Sequence, residues 1–253
     1  MDRLEIVYYT DPLCCWSWGM EPAINRLKYE YGESIGWRYC MGGLIPAWKN
    51  FVDPVNNVTR PIQMGPVWMH AAQVSGMPID QHIWHRTPPA SSYPACIAFK
   101  SVELQSPTYA ETYLRMIRSA CMIDGIDIGK ADELITMAHS LKIKFADFDV
   151  KTFIRQLTNG EATEAFKLDL QEIKLRGITR FPTLLFRSQG GGGLLTTGFR
   201  PYATLLEALQ EICPGLQKTR DAANLEEYKR HCPWLTDREI NESAGATLAD
   251  HAW

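Results

Sequence analysis

The sequence lacks long hydrophobic runs and a strong charge of either sign. Its apolar stretches all stay below 18 residues, so we expect no helix that spans a membrane. Its formal net charge is only −3 over 253 residues, so we expect neither nucleic acid nor an anionic membrane surface as a partner. With 45% hydrophobic and 22% charged residues, the composition is that of a globular protein. The length is sufficient for one large domain, or for a domain with a sizeable insertion.

The sequence also lacks the marks of a secreted disulfide scaffold. No basic segment, hydrophobic run and cleavage site follow one another at the start, so we expect a cytoplasmic protein. The cysteines number seven, which is odd, and their spacing fits no disulfide framework. Five of them are interpreted as buried or incidental thiols, namely Cys40, Cys96, Cys121, Cys213 and Cys232.

Clusters of metal-binding side chains are missing as well. His82 and His85 have the spacing of a metal pair on a helix, but no cysteine or carboxylate cluster accompanies them. Pro88 and Pro89 follow at once and would end such a helix. We therefore expect no metal site and no tightly bound cofactor.

Two cysteines lie between the first predicted strand and the first predicted helix. The apolar run of residues 4–9 is typical of a buried strand, and Asp-Pro at residues 11–12 ends it. The apolar spacing in residues 20–31 predicts an amphipathic helix. Cys14 and Cys15 thus precede a helix, where unpaired N–H groups and a partial positive charge stabilise a thiolate. We expect a lowered pKa for Cys14, and the alternative is a buried structural cysteine.

The rest of the chain predicts a helical section between two parts of a sheet. A second strand over residues 36–41 completes a β-α-β unit with parallel strands. Residues 44–66 carry four prolines and are expected to form a long loop. The expected helices that follow cover residues 66–75, 94–105, 107–123, 130–142 and 149–158, with Asp147 as a cap of the last.

The predicted sheet resumes after residue 160. The expected elements are a helix over Glu161–Arg176, a strand over 178–186, a glycine turn at 190–193, a strand over 194–198 paired with it as a hairpin, and a closing helix over 201–212. Beyond Pro214 the chain becomes polar, with short helices expected at 225–230 and 237–241 and a loose end over the last ten residues.

Two motifs in this order resemble the DsbA-like branch of the thioredoxin superfamily. Residues 11–18 read Asp-Pro-Leu-Cys-Cys-Trp-Ser-Trp, followed by Glu-Pro, and residues 180–183 read Arg-Phe-Pro-Thr. The second motif resembles the cis-proline loop that faces the active cysteine, so the resemblance implies a cis peptide before Pro182. Together with residues 91–105, the motifs are most similar to the cytosolic FrnE-like proteins and the SpxH (YjbH) adaptors. The resemblance covers roughly residues 4–213.

The resemblance implies an α/β, thioredoxin-like fold with an inserted all-α subdomain. Residues 1–62 and 161–213 would then form a discontinuous thioredoxin-like domain. Residues 63–160 would be the helical insertion, and residues 214–253 a polar C-terminal extension.

Ser17 departs from the family motif, because it occupies the position of the second cysteine of C-x-x-C. Cys14 occupies the nucleophile position, and a dithiol normally resolves its mixed disulfide with the second thiol. The Ser17 hydroxyl can hydrogen-bond the thiolate but cannot close a disulfide. Cys15 is at most an accessory thiol, since a disulfide between adjacent residues distorts the peptide. The resemblance therefore implies a monothiol site with Cys14, Ser17 and Pro182 as catalytic residues.

Four further residues are candidates for substrate binding. Phe181 and Thr183 flank the proline, and the resemblance implies that their backbone pairs with an extended peptide. Trp16 and Trp18 could line a groove for an apolar substrate, although packing in the core is the favoured interpretation. Glu21 is expected to be a solvated acid in the first helical turn, with tuning of the site as the alternative.

Three functions fit these features. The first, which we favour, is thiol–disulfide exchange on a protein or peptide substrate, with glutathione as co-substrate. The second is an adaptor, similar to SpxH, that presents a substrate to a protease without catalysis. Ser17 and the polar segment after Pro214 favour it. The third is a kappa-type glutathione-dependent transferase or isomerase, whose Ser-Pro-Tyr-Ser motif differs from the Asp-Pro-Leu-Cys found here. The sequence gives no oligomeric state.

Overall fold

A four-stranded mixed sheet forms the centre of the computed structural model, which describes residues 4–188 and 191–243. The strands described are β1 (Leu4–Thr10), β2 (Ile35–Met41), β3 (Thr183–Arg187) and β4 (Gly193–Thr197). Their order is β2-β1-β3-β4, with β1 parallel to β2 and antiparallel to β3, and with β3 antiparallel to β4. The predicted parallel pair and the predicted hairpin are both present.

The central strand β1 is buried along almost its whole length. Tyr8 pairs with Tyr39 of β2 on one side and with Leu184 of β3 on the other. Helices cover both faces of the sheet, so the strand reads as a continuous apolar run instead of an alternating one. This burial fixes the end of β1, where the candidate cysteines follow.

Twelve α-helices are assigned within the described residues. They are α1 (Cys15–Gly19), α2 (Glu21–Tyr31), α3 (Met64–Ser75), α4 (Ile83–Arg86), α5 (Tyr93–Glu103), α6 (Pro107–Met122), α7 (Ala131–Lys144), α8 (Val150–Thr158), α9 (Glu161–Arg176), α10 (Tyr202–Ile212), α11 (Leu225–His231) and α12 (Asp237–Ser243). None of these helices combines the length and apolar character that crossing a membrane requires. The α/β class with a long helical section between strands is confirmed.

Helix α5 joins the helical section to the rest of the molecule. It packs against α6 and α8 of that section and against α9, which lies on β2. Lys100 of α5 and Asp169 of α9 form a buried ion pair, with 3.1 Å between Nζ and Oδ2. The same carboxylate accepts a 2.8 Å hydrogen bond from the backbone N–H of Met41. The proposed boundaries of the domain, insertion and extension stay predictions.

Several local predictions need correction. The strand expected from residue 178 begins only at Thr183, because the cis peptide bond between Phe181 and Pro182 interrupts the extended chain. Asp149, and not Asp147, caps α8, since its side chain accepts a 2.9 Å hydrogen bond from Lys151 N. The long loop contains two short 3₁₀ turns. Part of the glycine turn and the last ten residues lie outside the described residues.

The polar segment after Pro214 is docked on the rest of the chain as far as it is described. Helix α12 packs against α2, and Glu239 of α12 is fully buried. Its carboxylate accepts hydrogen bonds from both terminal nitrogens of Arg115, each 2.8 Å long, and from Asn25 Nδ2 at 2.8 Å. This segment therefore contributes a buried charge to the molecule although its composition is polar.

Candidate active site at the start of helix α1

Cys14 is the N-cap residue of the short helix α1, directly after the chain leaves β1. Its Sγ accepts a hydrogen bond from the backbone N–H of Ser17, with 3.4 Å between sulfur and nitrogen. The same thiol donates to the carbonyl oxygen of Phe181 at 3.5 Å. The peptide bond between Phe181 and Pro182 is cis. The structure thus brings together Cys14, Ser17 and the proline loop, which are separated by more than 160 residues in sequence.

The proline loop is held against the sheet by close packing. The ring of Phe181 lies where a side chain at Gly42 would be, since a Cβ built on Gly42 would be 2.3 Å from that ring. Only glycine can therefore occupy position 42 without displacing the loop. Thr183 is buried, and its hydroxyl donates to the carbonyl of Arg180 at 2.8 Å. Phe181 itself is half-buried.

Ser17 is fully buried and has hydrogen-bond partners on two sides. Its Oγ accepts from the hydroxyl of Thr10 at 2.9 Å, and its backbone carbonyl accepts from Tyr8 Oη at 3.3 Å. The Ser17 hydroxyl also lies within hydrogen-bond reach of the Cys14 thiol and, like the backbone N–H, favours the thiolate. A serine at this position is therefore part of the thiol's immediate environment.

Burial nevertheless raises the pKa of the Cys14 thiol above its ordinary value. The side chain is only 4% exposed, and the two hydrogen bonds from Ser17 offset the loss of hydration only in part. The sequence-based expectation of a lowered pKa is therefore wrong. That expectation assumed one long helix beginning after Cys14. Helix α1 instead ends after five residues at Gly19, so fewer aligned peptide dipoles act on the sulfur.

We expect alkylation of Cys14 by iodoacetamide to be slower in the folded chain than in urea at pH 7.5. The reason is that the folded thiol holds its proton to a pH above the ordinary value of about 8.5. Peptide mass spectrometry over pH 6 to 10 measures the rate at Cys14 separately from the other cysteines, and Cys14→Ser verifies the peptide assignment. Faster reaction in the folded chain at pH 7.5 would contradict the burial argument.

Two charged residues near this site escaped the sequence analysis or were interpreted wrongly. Arg118, on α6, is fully buried and donates hydrogen bonds to Glu21 and to the hydroxyl of Thr10. Glu21 was expected to be solvated, but it is buried and also pairs with Arg115 at 3.5 Å. Although burial alone would raise the pKa of Glu21, the two guanidinium groups hold it below its ordinary value. Glu21 is therefore ionised and structural.

Asp11 is a second buried residue whose role was missed. Oδ1 accepts from Leu13 N at 2.8 Å, and Oδ2 accepts from Leu44 N at 2.7 Å and Ser92 Oγ at 2.9 Å. Burial raises its pKa, which the hydrogen bonds offset in part. The side chain joins the cysteine loop to the segment after β2 and to the start of α5. An acidic residue at the end of an apolar run is the sequence signal that pointed to it.

The tryptophans and Cys15 have different positions from those proposed for substrate binding. Trp18 is fully buried, donates from Nε1 to Pro78 O at 3.0 Å, and packs under the guanidinium of Arg115. It is a core residue, so its proposed contact with substrate is wrong. Cys15 is also buried, and burial raises its pKa well above the ordinary value, which excludes it as an accessory thiol at neutral pH.

Trp16 remains close to the surface beside the candidate site. It is half-buried, and its ring packs against His70 of α3 at 5.5 Å and Phe199 at 6.1 Å between centroids. These rings form an aromatic rim next to α1. A role for Trp16 in substrate binding stays a prediction.

The remaining cysteines and histidines do not add to the site. Three of the cysteines interpreted as incidental are buried, and two are half-buried, in the order Cys40, Cys96, Cys121, Cys213 and Cys232. His82 and His85 are both exposed. Within residues 4–188 and 191–243, no three histidine, cysteine or carboxylate side chains are grouped as metal ligands would be.

Comparisons with known proteins place the geometry in a family. The ClpXP adapter protein SpxH of Halalkalibacterium halodurans is 28% identical over 239 residues, which are 94% of this chain and 76% of the relative. A structure from Nitrosomonas europaea, assigned as a protein disulfide isomerase, has a TM-score of 0.66 at 24% identity and covers 83% of this chain and 95% of that one. The cytosolic disulfide reductase DsbM from Pseudomonas aeruginosa, solved with GSH, has a TM-score of 0.56 at 19% identity. It covers 73% of this chain and 88% of that one.

The two solved structures share the fold of this chain, as the resemblance to DsbA-like proteins predicted. A thioredoxin family model also matches the sequence directly, over residues 8–207. This range begins within β1, contains Cys14 and the proline loop, and ends within α10. Because the match spans most of the chain, the protein belongs to the thioredoxin family.

Proposed function

We propose that this protein exchanges thiols and disulfides through a single reactive cysteine. One observation carries the proposal: the Cys14 thiol, at the start of α1, lies 3.5 Å from the carbonyl oxygen that precedes the cis proline. An extended peptide that pairs with the backbone at Phe181 and Thr183 would place its own sulfur beside this thiol. The substrate class is therefore a disulfide in a protein or peptide.

The exchange step neither adds nor removes electrons overall. The Cys14 thiolate attacks one sulfur of the substrate disulfide, a new S–S bond forms between them, and the old S–S bond breaks. The departing substrate sulfur takes up a proton, equal in number to the one that Cys14 lost. Since Ser17 has no thiol, the mixed disulfide persists until a second thiol attacks it and restores Cys14.

Glutathione is the second thiol that we propose. The solved DsbM structure contains GSH, and this chain shares its fold. A small soluble thiol can reach a sulfur that is only 4% exposed more easily than a second protein can. Glutathione acts here as a co-substrate, and we place the reaction in the cytoplasm, where glutathione keeps thiols reduced.

Incubation of the reduced chain with oxidised glutathione tests this proposal directly. We expect one glutathionyl group per chain by intact mass, located at Cys14 by peptide mapping, and lost again on adding reduced glutathione. The Cys14→Ser variant should stay unmodified, and Cys40→Ser, which removes a buried thiol outside the site, should behave like the wild type. Modification spread over several cysteines, or absent from Cys14, would overturn the proposal.

A second candidate function is that of a non-catalytic adaptor. Two observations favour it: the relative from Halalkalibacterium halodurans is a ClpXP adapter protein, and Ser17 removes the thiol that a catalytic cycle needs. Under this alternative the fold is retained as a binding surface, and the partners are the substrate protein and the protease.

Binding of purified ClpXP to the wild type and to Cys14→Ser separates the two functions. An adaptor should bind equally well with either residue at position 14, because no covalent step is required. Sedimentation velocity measures the complex without a label. Binding that requires the Cys14 sulfur would favour the exchange function, and no binding to either chain would remove the support for the adaptor.

A further inference from the structure

We propose that Arg118 is a positioning residue for the Cys14 thiol, because it fixes the direction of the hydrogen-bond chain Arg118–Thr10–Ser17–Cys14. This inference rests on the proposed function only in taking Cys14 as the reactive group. It goes beyond that function by assigning a role to a buried cation contributed by the helical section between β2 and α9.

The chain begins at a guanidinium with no exposed surface. Arg118 reaches from α6 to the end of β1, where one terminal nitrogen donates to Thr10 Oγ1 and lies 3.4 Å from the Asp11 carbonyl. The other terminal nitrogen donates to Glu21. The ion pair with Glu21 compensates for burial of the guanidinium and holds it in one orientation.

The direction of the chain follows from the donors and acceptors available. A guanidinium can only donate, so Thr10 Oγ1 is the acceptor in its contact with Arg118. The single proton of Thr10 is then directed to Ser17 Oγ, which accepts it at 2.9 Å. The Ser17 oxygen has thus received a proton from one side, and its own proton is available for the Cys14 sulfur, which lies within its reach.

Such a chain matters most when the sulfur is negative. A hydrogen bond from a hydroxyl to an anion is stronger than one between neutral groups, so it favours the thiolate over the thiol. In this chain Ser17 replaces the second thiol, and its hydroxyl is the side-chain donor that the chain directs at the sulfur. Arg118 therefore supports Cys14 both when it attacks and when it is expelled from a mixed disulfide.

The neighbouring titratable groups do not obscure the thiol's own titration between pH 7 and 10. Glu21 faces Arg118 from α2 and stays ionised, because the guanidinium groups lower its pKa. Tyr8 of β1 and Tyr39 of β2 also face Arg118, and burial raises the pKa of Tyr8 to about 12 and that of Tyr39 well above its ordinary value. Asp11 faces Cys14 from the loop and, as a carboxyl group with four donors around it, ionises at lower pH.

A mutant cycle between Thr10 and Ser17 tests the chain. Thr10→Val keeps the shape of the side chain and removes the hydroxyl, whereas Thr10→Ser keeps the hydroxyl. We expect Thr10→Val to raise the pH midpoint of Cys14 alkylation by about one unit, a tenfold lower thiolate fraction at neutral pH. Thr10→Ser should behave like the wild type. In a Ser17→Ala chain, Thr10→Val should have no further effect, because the proton it directs is already absent.

Arg118→Lys and Arg118→Met complete the test. Lysine keeps a donor to Thr10 and should retain most of the reactivity, while methionine should shift the midpoint as Thr10→Val does. If Arg118→Met does not fold, as judged by circular dichroism, the Thr10–Ser17 cycle decides alone. Additive shifts of Thr10→Val and Ser17→Ala would overturn the chain.

Failure of the chain and failure of the proposed function are distinguishable. Normal formation of the glutathione adduct with an additive cycle would leave the exchange function standing and remove the role of Arg118. A non-additive cycle in a chain that forms no adduct would retain the role of Arg118 in setting the thiol and remove the exchange function.

Discussion

Ser17→Cys is expected to convert the protein into a reductant that turns over insulin in the presence of dithiothreitol. The backbone N–H of Ser17 lies 3.4 Å from the Cys14 sulfur, so a thiol at position 17 begins close to the atom it must attack. A well-positioned internal thiol acts at an effective concentration far above the roughly millimolar external thiol. We expect at least about 100-fold faster release of a mixed disulfide from Cys14 than in the wild type.

The reaction of the new thiol accounts for every electron. Its thiolate attacks Cys14 in the mixed disulfide, forms an internal disulfide, and releases the substrate as a thiol. Dithiothreitol then reduces the internal disulfide. The cost of the substitution is loss of the Ser17 hydroxyl and of its 2.9 Å contact with Thr10, since sulfur is a weaker hydrogen-bond acceptor.

Ser101→Cys provides the matched control for this result. Ser101 is also a fully buried helical serine with a hydrogen-bonded hydroxyl, but it lies on α5, where its hydroxyl contacts the carbonyl of Phe153. It should add a thiol without adding insulin reduction. A folded Ser17→Cys chain that remains inactive would count heavily against the exchange function and in favour of the adaptor.

The order of the elements and the pairing of the two motifs could be predicted from sequence, because both depend on local patterns. The apolar run of β1, its interruption by proline and the helical spacing beyond residue 160 each follow from the chain's own neighbours. The position of Ser17 in the motif likewise identified the missing thiol. The structure places this residue against Cys14, as the motif implies.

The buried charges could not be predicted, because their partners are distant in sequence. Arg118 lies 97 residues from Glu21, and Glu239 lies 124 residues from Arg115. Each appears in sequence as an ordinary surface charge on an amphipathic helix. The only local signal was that Arg118 falls beside the apolar positions Ile117 and Cys121 of α6. The division of the first helix at Gly19 was missed for the same reason, since apolar spacing continues through both halves.

Glu239→Ala is expected to lower the free energy of urea unfolding by about 3 to 5 kcal/mol. This is the cost of removing one partner from a buried ion pair and leaving the other uncompensated. The Glu239 carboxylate accepts from Arg115, from Asn25 and from both the N–H and the hydroxyl of Thr236. Its loss leaves the Arg115 guanidinium, which is itself buried, with only the more distant Glu21 as a counter-ion.

Hydrogen exchange would show where this energy is stored. If Glu239 anchors only α12, amides of Asp237–Ser243 should lose protection in Glu239→Ala while those of β1 keep it. Glu226→Ala, which removes an exposed acid from the neighbouring α11, should change stability by less than about 0.5 kcal/mol. A loss below about 1 kcal/mol for Glu239→Ala would mean that the Arg115 pair is hydrated in solution. Because Arg115 shares Glu21 with Arg118, a loss in the full range should also disturb the reactivity of Cys14, and alkylation of that thiol in Glu239→Ala measures this coupling.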